Sequence, residues 1–195
     1  MHRRSEPRPV PPGQRLVSEL PVQHYGRVPT LDEVTWTLTL CGATASGRRR
    51  VLTWADLMAL PQVEQVADQH CVSKMTQQDV AWRGVRMRDV VELEPPQDGT
   101  EHTLVSAEYG YASSVALADL LSPRALLATH RDGEVLTPER GGPVRLVIPH
   151  LYSWKGPKWV REIAYHGEPV RGFWEQRGYH LVGDAWRQER YSYQG

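Results

Sequence analysis

The sequence predicts a strand-rich α+β domain with short helices and long loops, and three observations lead there. Val34, Trp36, Leu38 and Leu40 alternate with Thr35, Thr37 and Thr39, the period-two pattern of a half-buried strand. Leu126 to Leu136 reads as a hairpin turning at Asp132-Gly133, a favoured two-residue turn. Sixteen glycines and fifteen prolines among 195 residues favour loops and short strands over a helical bundle.

The remaining elements follow in chain order. Residues 1–19 read as a disordered tail. Pro7, Pro9, Pro11 and Pro12 alternate with arginines, and almost nothing apolar is available to offset the ordering entropy. The domain is expected over residues 20–195. After the first strand, Thr53 stands three residues before Asp56, a capping-box start for a short helix that Pro61 ends. Val63 to His70 reads as a strand that delivers Cys71 to a loop. Arg86 to Leu93 reads as a short amphipathic helix. Thr103 to Glu108 and Ser113 to Leu117 read as strands around Gly110, and Pro143 to Pro149 and Trp159 to Tyr165 as two more. Long loops in a compact domain usually carry function.

Composition narrows the function. Lysine plus arginine equals aspartate plus glutamate at 23 each, so the chain has no global charge with which to hold nucleic acid or an anionic membrane. No apolar run approaches the roughly 18 to 20 residues that cross a bilayer. Arg3-Arg4 begins like a twin-arginine export signal, but no apolar stretch or small-residue cleavage site follows. The chain is therefore expected to be cytoplasmic, where thiols stay reduced. Seven tryptophans and eight tyrosines against one phenylalanine suit a pocket wall, because these rings pair apolar area with a polar handle. Two cysteines and eight scattered histidines offer no structural zinc site. Nucleotide-binding glycine loops, a GxSxG elbow and a CxxCH haem site are missing from the sequence.

Three stretches could carry chemistry. Cys71 stands just past a strand, and three readings are open for it. It could be a small buried hydrophobe, a nucleophile with a histidine base, or one thiolate ligand of a soft metal whose other ligands come from a cofactor. His70 is a poor base for it, because adjacent strand residues face opposite sides. The second stretch runs from Gly141-Gly142-Pro143 through Arg145 to Lys155-Gly156-Pro157-Lys158. Arginine as a fork, lysines as point charges and the Gly156 amide could together grip a phosphate. The third is Gly172 to His180, where Tyr179 or Arg177 could stand at a pocket mouth and Tyr179 could supply a proton.

Taken in order, these pieces resemble the molybdopterin-binding domain of the sulfite oxidase family, from about His24 to Tyr191. The matching stretches are His24-Tyr25-Gly26-Arg27-Val28-Pro29, His70-Cys71, Trp82 to Val90, the Gly-Gly-Pro-Val-Arg strand, Lys155 to Trp159, and Gly172 to His180. The resemblance implies a mononuclear molybdenum centre in which Cys71 is the protein's thiolate ligand and a pyranopterin dithiolene supplies further sulfurs. It carries cofactor contacts onto His24, Tyr25, Arg145, Gly156, Pro157 and Lys158, and more loosely onto Ser106. Tyr179 matches the family's active-site tyrosine.

There are departures from the family pattern. Arg140 stands where relatives commonly place His or Asn, and a cation there suits the phosphate or the pterin edge. Gln23 stands where the animal enzymes carry a substrate-binding arginine, which weakens the case for sulfite. Lys74-Met75 replaces a common Arg-Trp. The implied activity is oxygen-atom transfer on a small sulfur- or nitrogen-containing substrate, with a separate electron-transfer partner. Alternatives are a sulfoxide-type reductase, a pterin- or ligand-binding module without turnover, and a metal-independent cysteine hydrolase.

Overall fold

The computed structural model describes residues 8–194 and forms two packed mixed sheets with three short helices. In chain order the elements are β1 (Arg15–Val17), β2 (Thr37–Gly42), β3 (Arg50–Thr53), α1 (Trp54–Ala59), β4 (Gln62–Cys71), β5 (Met75–Arg86), α2 (Met87–Val91), β6 (His102–Ala107), β7 (Ala112–Ala116), α3 (Leu117–Leu120), β8 (Leu126–Arg131), β9 (Glu134–Val135), β10 (Arg145–Val147) and β11 (Val160–His166). One sheet runs β3-β2-β11-β6-β7. The other runs β1-β5-β8-β10, with β4 also on β5 and β9 on β8. The β2–β11 and β1–β5 pairs are parallel and the rest antiparallel. The expected strand-rich α+β class is what the chain adopts.

The main core fills the space between the sheets. Trp36, Leu38, Leu40 and Ile163 from one sheet meet Val85, Leu127 and Leu146 from the other. A second cluster of Val80, Trp82, Leu126, Ala128 and Val147 covers the far face of the β5-β8-β10 sheet. That sheet is thus buried on both faces around its centre, which holds rigidly whatever its strand ends carry.

Local sequence explains the elements it marks. Thr53 caps α1 by accepting from the Asp56 amide, and the Asp56 carboxylate accepts from the Thr53 amide and hydroxyl. The hairpin turns at Asp132-Gly133 as expected. Other expectations shift. The first strand begins at Thr37, not Val34, which is exposed. The Asp32 carboxylate accepts from both the amide and the hydroxyl of Thr35 and ties residues 32–35 into a turn. β5 goes unmarked in the sequence because Thr76-Gln77-Gln78-Asp79 is polar and Asp79 takes a left-handed conformation. Its pairing with β4, β1 and β8 overrides that local preference.

Of the expected tail of residues 1–19, the structure describes residues 8–19, and these are ordered. Residues 1–7, including Arg3-Arg4 and Pro7, lie outside the described residues. From Arg8 onward the chain is laid along the domain. Arg8 pairs with Asp68 and Asp79, β1 adds parallel to β5, and Leu20 is buried. Pairing to a pre-existing strand edge supplies the order that this segment's own composition cannot. Among the described residues no helix is long and apolar enough to cross a membrane.

Gly84 marks the tightest approach in the sheet, since a Cβ there would stand 2.0 Å from the Leu127 carbonyl oxygen. Gly84→Ala is expected to lower the unfolding free energy by about 1–3 kcal/mol. The exposed Gly167→Ala, with nothing within 4 Å of its Cβ, serves as control and is expected to stay within about 0.5 kcal/mol of the parent. Chemical denaturation of the three proteins is the measurement.

Candidate active site

Cys71 is the last residue of β4, the ten-residue partner of the longest strand, and the tight turn through Lys74 follows it. Its backbone oxygen accepts from the Lys74 amide and from Gln14 Nε2. Strand and turn therefore fix the thiol's place. The sulfur is half-buried, lies 2.9 Å from Ser73 Oγ, and opens onto a cavity of about 750 Å³. His70 faces the other way. It is buried, bonded through Nδ1 to the Thr76 hydroxyl and packed edge-on against Trp186, and burial holds its pKa below the usual imidazole value. The hydrolase reading loses its nearest base on this geometry.

Around the thiol the cavity wall is aromatic. Tyr179 makes ring contacts with Trp154 at 5.5 Å and Trp174 at 5.0 Å, and all three line the cavity with Tyr111. The Tyr179 hydroxyl holds its proton above the usual phenol range, chiefly through burial, with Tyr191 and Cys71 adding to it. Tyr111 donates to the Trp154 carbonyl at 2.6 Å and is likewise pushed up by burial. Trp154 Nε1 is buried without a partner.

The cavity also gathers four cations, Arg131, Arg140, Arg145 and Lys158. Arg131 and Arg145 pack on the Trp82 ring at 5.6 and 5.5 Å. Among the described residues carboxylates reach two of the four, Glu19 at Arg140 and Asp132 at Arg131. Lys158 donates to the carbonyls of Gln23 and Glu139 at 2.6 Å each, and Arg145 Nη1 donates to the Arg140 carbonyl. Arg145 Nε is buried without a partner. Burial first, and then the three neighbouring guanidiniums, pull Lys158 down to about 7. Burial with Arg131 and Arg140 pulls Arg145 down to about 10. The arrangement suits a multiply charged anion. Beside it, a Cβ on Gly156 would stand 2.3 Å from the Leu146 carbonyl, so only glycine lets the Gly156-Pro157 turn lie this close to β10.

The structure thus brings together Cys71, Tyr179, His24, Tyr25, Arg140, Arg145, Gly156, Pro157 and Lys158 on one cavity. Ser106 is elsewhere. It pairs with Ala112 and Glu162 inside its sheet and does not line the cavity. Lys155 is corrected from phosphate grip to buried strut, because its ammonium pairs with Glu175 at 2.8 Å and donates to the Leu181 carbonyl. Arg177 and Arg187 are exposed and outside the cavity lining. Arg131 was not singled out from the sequence. The signal that marked Arg145, a guanidinium on an apolar strand, is present in Leu126-Leu127-Ala128-Thr129-His130-Arg131 too.

One thiolate cannot hold a transition metal, and among the described residues no group of three or more His, Cys, Asp or Glu gathers that could. A thiolate, an anion-hungry cation cluster and an aromatic cavity wall together fit a metal brought in on a phosphorylated organic cofactor, the signature of a cofactor-dependent redox enzyme. The comparisons agree. Residues 25–174 match the model described as the oxidoreductase molybdopterin binding domain, and the chain belongs to that family. It is 38% identical over 185 residues to the uncharacterized oxidoreductase YuiH of Bacillus subtilis, covering 94% of this chain and 92% of that one. It is 26% identical to a putative protein-methionine-sulfoxide reductase subunit of Azospira oryzae, over 91% of this chain and 68% of that one. The sulfite oxidase of Arabidopsis thaliana is 25% identical over 88% of this chain, which spans 54% of that enzyme. The fold matches sulfane dehydrogenase SoxCD from Paracoccus pantotrophus with a TM-score of 0.69 at 20% identity, over 76% of this chain and 42% of that one. The chain is a molybdopterin-dependent oxidoreductase of the sulfite oxidase type, and its cofactor is molybdenum-molybdopterin. Cys71 could hold the metal, and Arg145, Lys158 and the Gly156 turn could hold the phosphate.

The lowered Lys158 pKa gives a signed prediction. The folded, cofactor-free protein sheds this proton near 7, whereas the unfolded chain keeps it to about 10. The unfolded state therefore binds more protons across that window, and stability contributed by this group rises with pH from about 7 to about 10. Lys158→Met is expected to flatten that rise, and inorganic phosphate to flatten it in the parent by restoring the charged lysine. Thermal melts of cofactor-free protein against pH, with and without phosphate, are the check.

Proposed function

We propose that this protein moves an oxygen atom between its molybdenum centre and a small sulfur- or nitrogen-containing molecule, exchanging electrons with a separate partner. The carrying observation is that a single thiolate, Cys71, opens on the same cavity as Tyr179 and the four-cation cluster. The bound cofactor supplies a two-electron centre able to give or take an oxygen atom. Cys71 contributes an anionic sulfur on a rigid strand end. Tyr179 orients the substrate oxygen and keeps a proton available at its hydroxyl, as its raised pKa favours. Trp154 and Trp174 exclude water from that end.

A reductive direction on a sulfoxide or N-oxide is a second reading, favoured by the uncharged aromatic surroundings of the thiol. Gln23, which lines the cavity, brings no cation that would hold sulfite. Cytoplasmic location belongs to the same proposal on the sequence reading above, and cell fractionation tests it.

Protein produced with ample molybdate is expected to carry molybdenum near one atom per chain, and metal analysis far below that sinks the reading. Cys71→Ser is expected to lose turnover while keeping its circular dichroism spectrum. Tyr179→Phe is expected to keep its molybdenum and lose roughly 10²-fold or more in kcat. A screen of sulfite, sulfoxides and N-oxides with artificial electron donors and acceptors separates the two directions.

A further inference from the structure

Electrons must cross the protein surface, and the closing segment of the chain offers a route beside the cavity. Tyr179 lines the cavity and makes a tilted ring contact at 5.4 Å with Tyr191, which stacks nearly parallel on Tyr193 at 5.6 Å. Tyr193 is 80% exposed, and Trp186 and Val182 are exposed on the same closing segment. A continuous run of ring contacts thus leads from the cavity wall to solvent. This apolar patch sits among arginines. Arg171, Arg177 and Arg187 are exposed, and none forms an ion pair among the described residues. The carboxylates of the same segment are all engaged. Glu175 is bound by Lys155, Asp184 accepts from the amides of Trp186 and Arg187, and Glu189 accepts from the Asp184 amide beside His180. Across the turn that follows Cys71, Arg15 and Lys74 are exposed and likewise in no ion pair, joined by an Arg15 amide to Lys74 carbonyl bond. In a chain of zero net charge, five unpaired cations around an exposed aromatic pair mark a face suited to an anionic protein.

We propose that this rim is the docking face for a small acidic protein that exchanges single electrons with the centre in the cavity, with Tyr191 and Tyr193 under the contact. The inference rests on the molybdenum reading above. The carrier gives or takes one electron per encounter, so two encounters accompany each oxygen atom moved. In the reductive direction XO, two electrons and two protons yield X and water, and the oxidative direction is the reverse. The exposed arginines steer the encounter, and the tyrosines supply the apolar centre that such interfaces require.

The test uses molybdenum-loaded protein and reduced flavodoxin, an acidic one-electron carrier, with a charge-neutral reduced viologen as the small control. The variants are Arg177→Glu with Arg187→Glu, and Tyr193→Ser, none of which touches the cavity. In stopped flow, the second-order rate with flavodoxin is expected to fall steeply with added salt. It is expected to drop about tenfold or more in the double charge reversal, while the viologen rate stays within about twofold. Surface plasmon resonance with oxidised flavodoxin, which needs no turnover, is expected to weaken in parallel. Undiminished flavodoxin rates and binding in the variants, or rates independent of salt, overturn the docking face. Equal losses with the viologen overturn it too, as does binding to anionic vesicles in place of flavodoxin. A parent protein that holds molybdenum and accepts viologen electrons yet fails with flavodoxin sinks this inference alone, whereas one without molybdenum sinks the functional reading beneath it.

Discussion

The arrangement depends on positive charge that the polypeptide gathers and does not neutralise. Arg131, Arg140, Arg145 and Lys158 converge on one cavity, and among the described residues Glu19 and Asp132 alone answer them with carboxylates. Placing like charges together with burial is costly, and the cost is visible in the depressed lysine and in a buried guanidinium nitrogen without an acceptor. A fold that served only its own stability would replace such groups with apolar ones. Their persistence makes sense when an anion completes the set. One aromatic ring and one amide side chain support the cluster. Trp82 lies under Arg131 and Arg145, and the Gln77 side chain accepts from Arg131 at 2.7 Å.

The cluster in turn needs a stiff frame, and the doubly buried sheet provides it. β5 carries Trp82 on one face and Val85 on the other, so neither face can relax without disturbing a core. β4 runs along the whole of β5 and ends at Cys71, while β8 and β10 carry Arg131 and Arg145. The thiol and two of the four cations, Arg131 and Arg145, are therefore registered to the same few strands, whereas Arg140 and Lys158 come from the segments between strands. Ladder hydrogen bonds set the spacing of the strand-borne groups.

What could be read from the sequence follows from which forces are local. The Thr53 box, the Asp132-Gly133 turn and the apolar run into Cys71 are carried by near neighbours, and they form as the residues dictate. The segment from Arg8 to Leu20 owes its order to partners about 60 residues away, such as Gln77 for Leu20 and Asp68 for Arg8, and β5 owes its order to pairing with β4, β8 and β1 rather than to its own polar stretch. In the site, Cys71, Tyr179, Arg145 and Lys158 were legible as candidates because the matching motifs carry them, and the structure places all four on one cavity. Ser106 was not, since its stretch has a strand pattern and no distinguishing neighbour, and the strand holds it in the other sheet. Arg131 stayed hidden behind the turn it precedes.

The two lysines around Gly156-Pro157 carry the last step. As a sequence they look equivalent, two cations flanking one turn. The fold separates them completely. Lys158 faces the cavity, whereas Lys155 is sealed between Glu175 and the Leu181 carbonyl, with its ammonium over the Trp154 ring at 4.8 Å. Glu175 also accepts from the Ser114 amide and the Ser113 hydroxyl, so its charge is well supported. The 3₁₀ turn Glu175–Arg177 leads directly into Gly178 and Tyr179. A single buried ion pair therefore ties the loop that presents Gly156 and Lys158 to the loop that presents Tyr179. A buried pair is weak evidence for stability, but one that joins two functional loops fixes their spacing, and losing either partner leaves the other charge stranded. The phosphate end and the proton-bearing end of the cavity are held at a constant separation by a contact that touches neither.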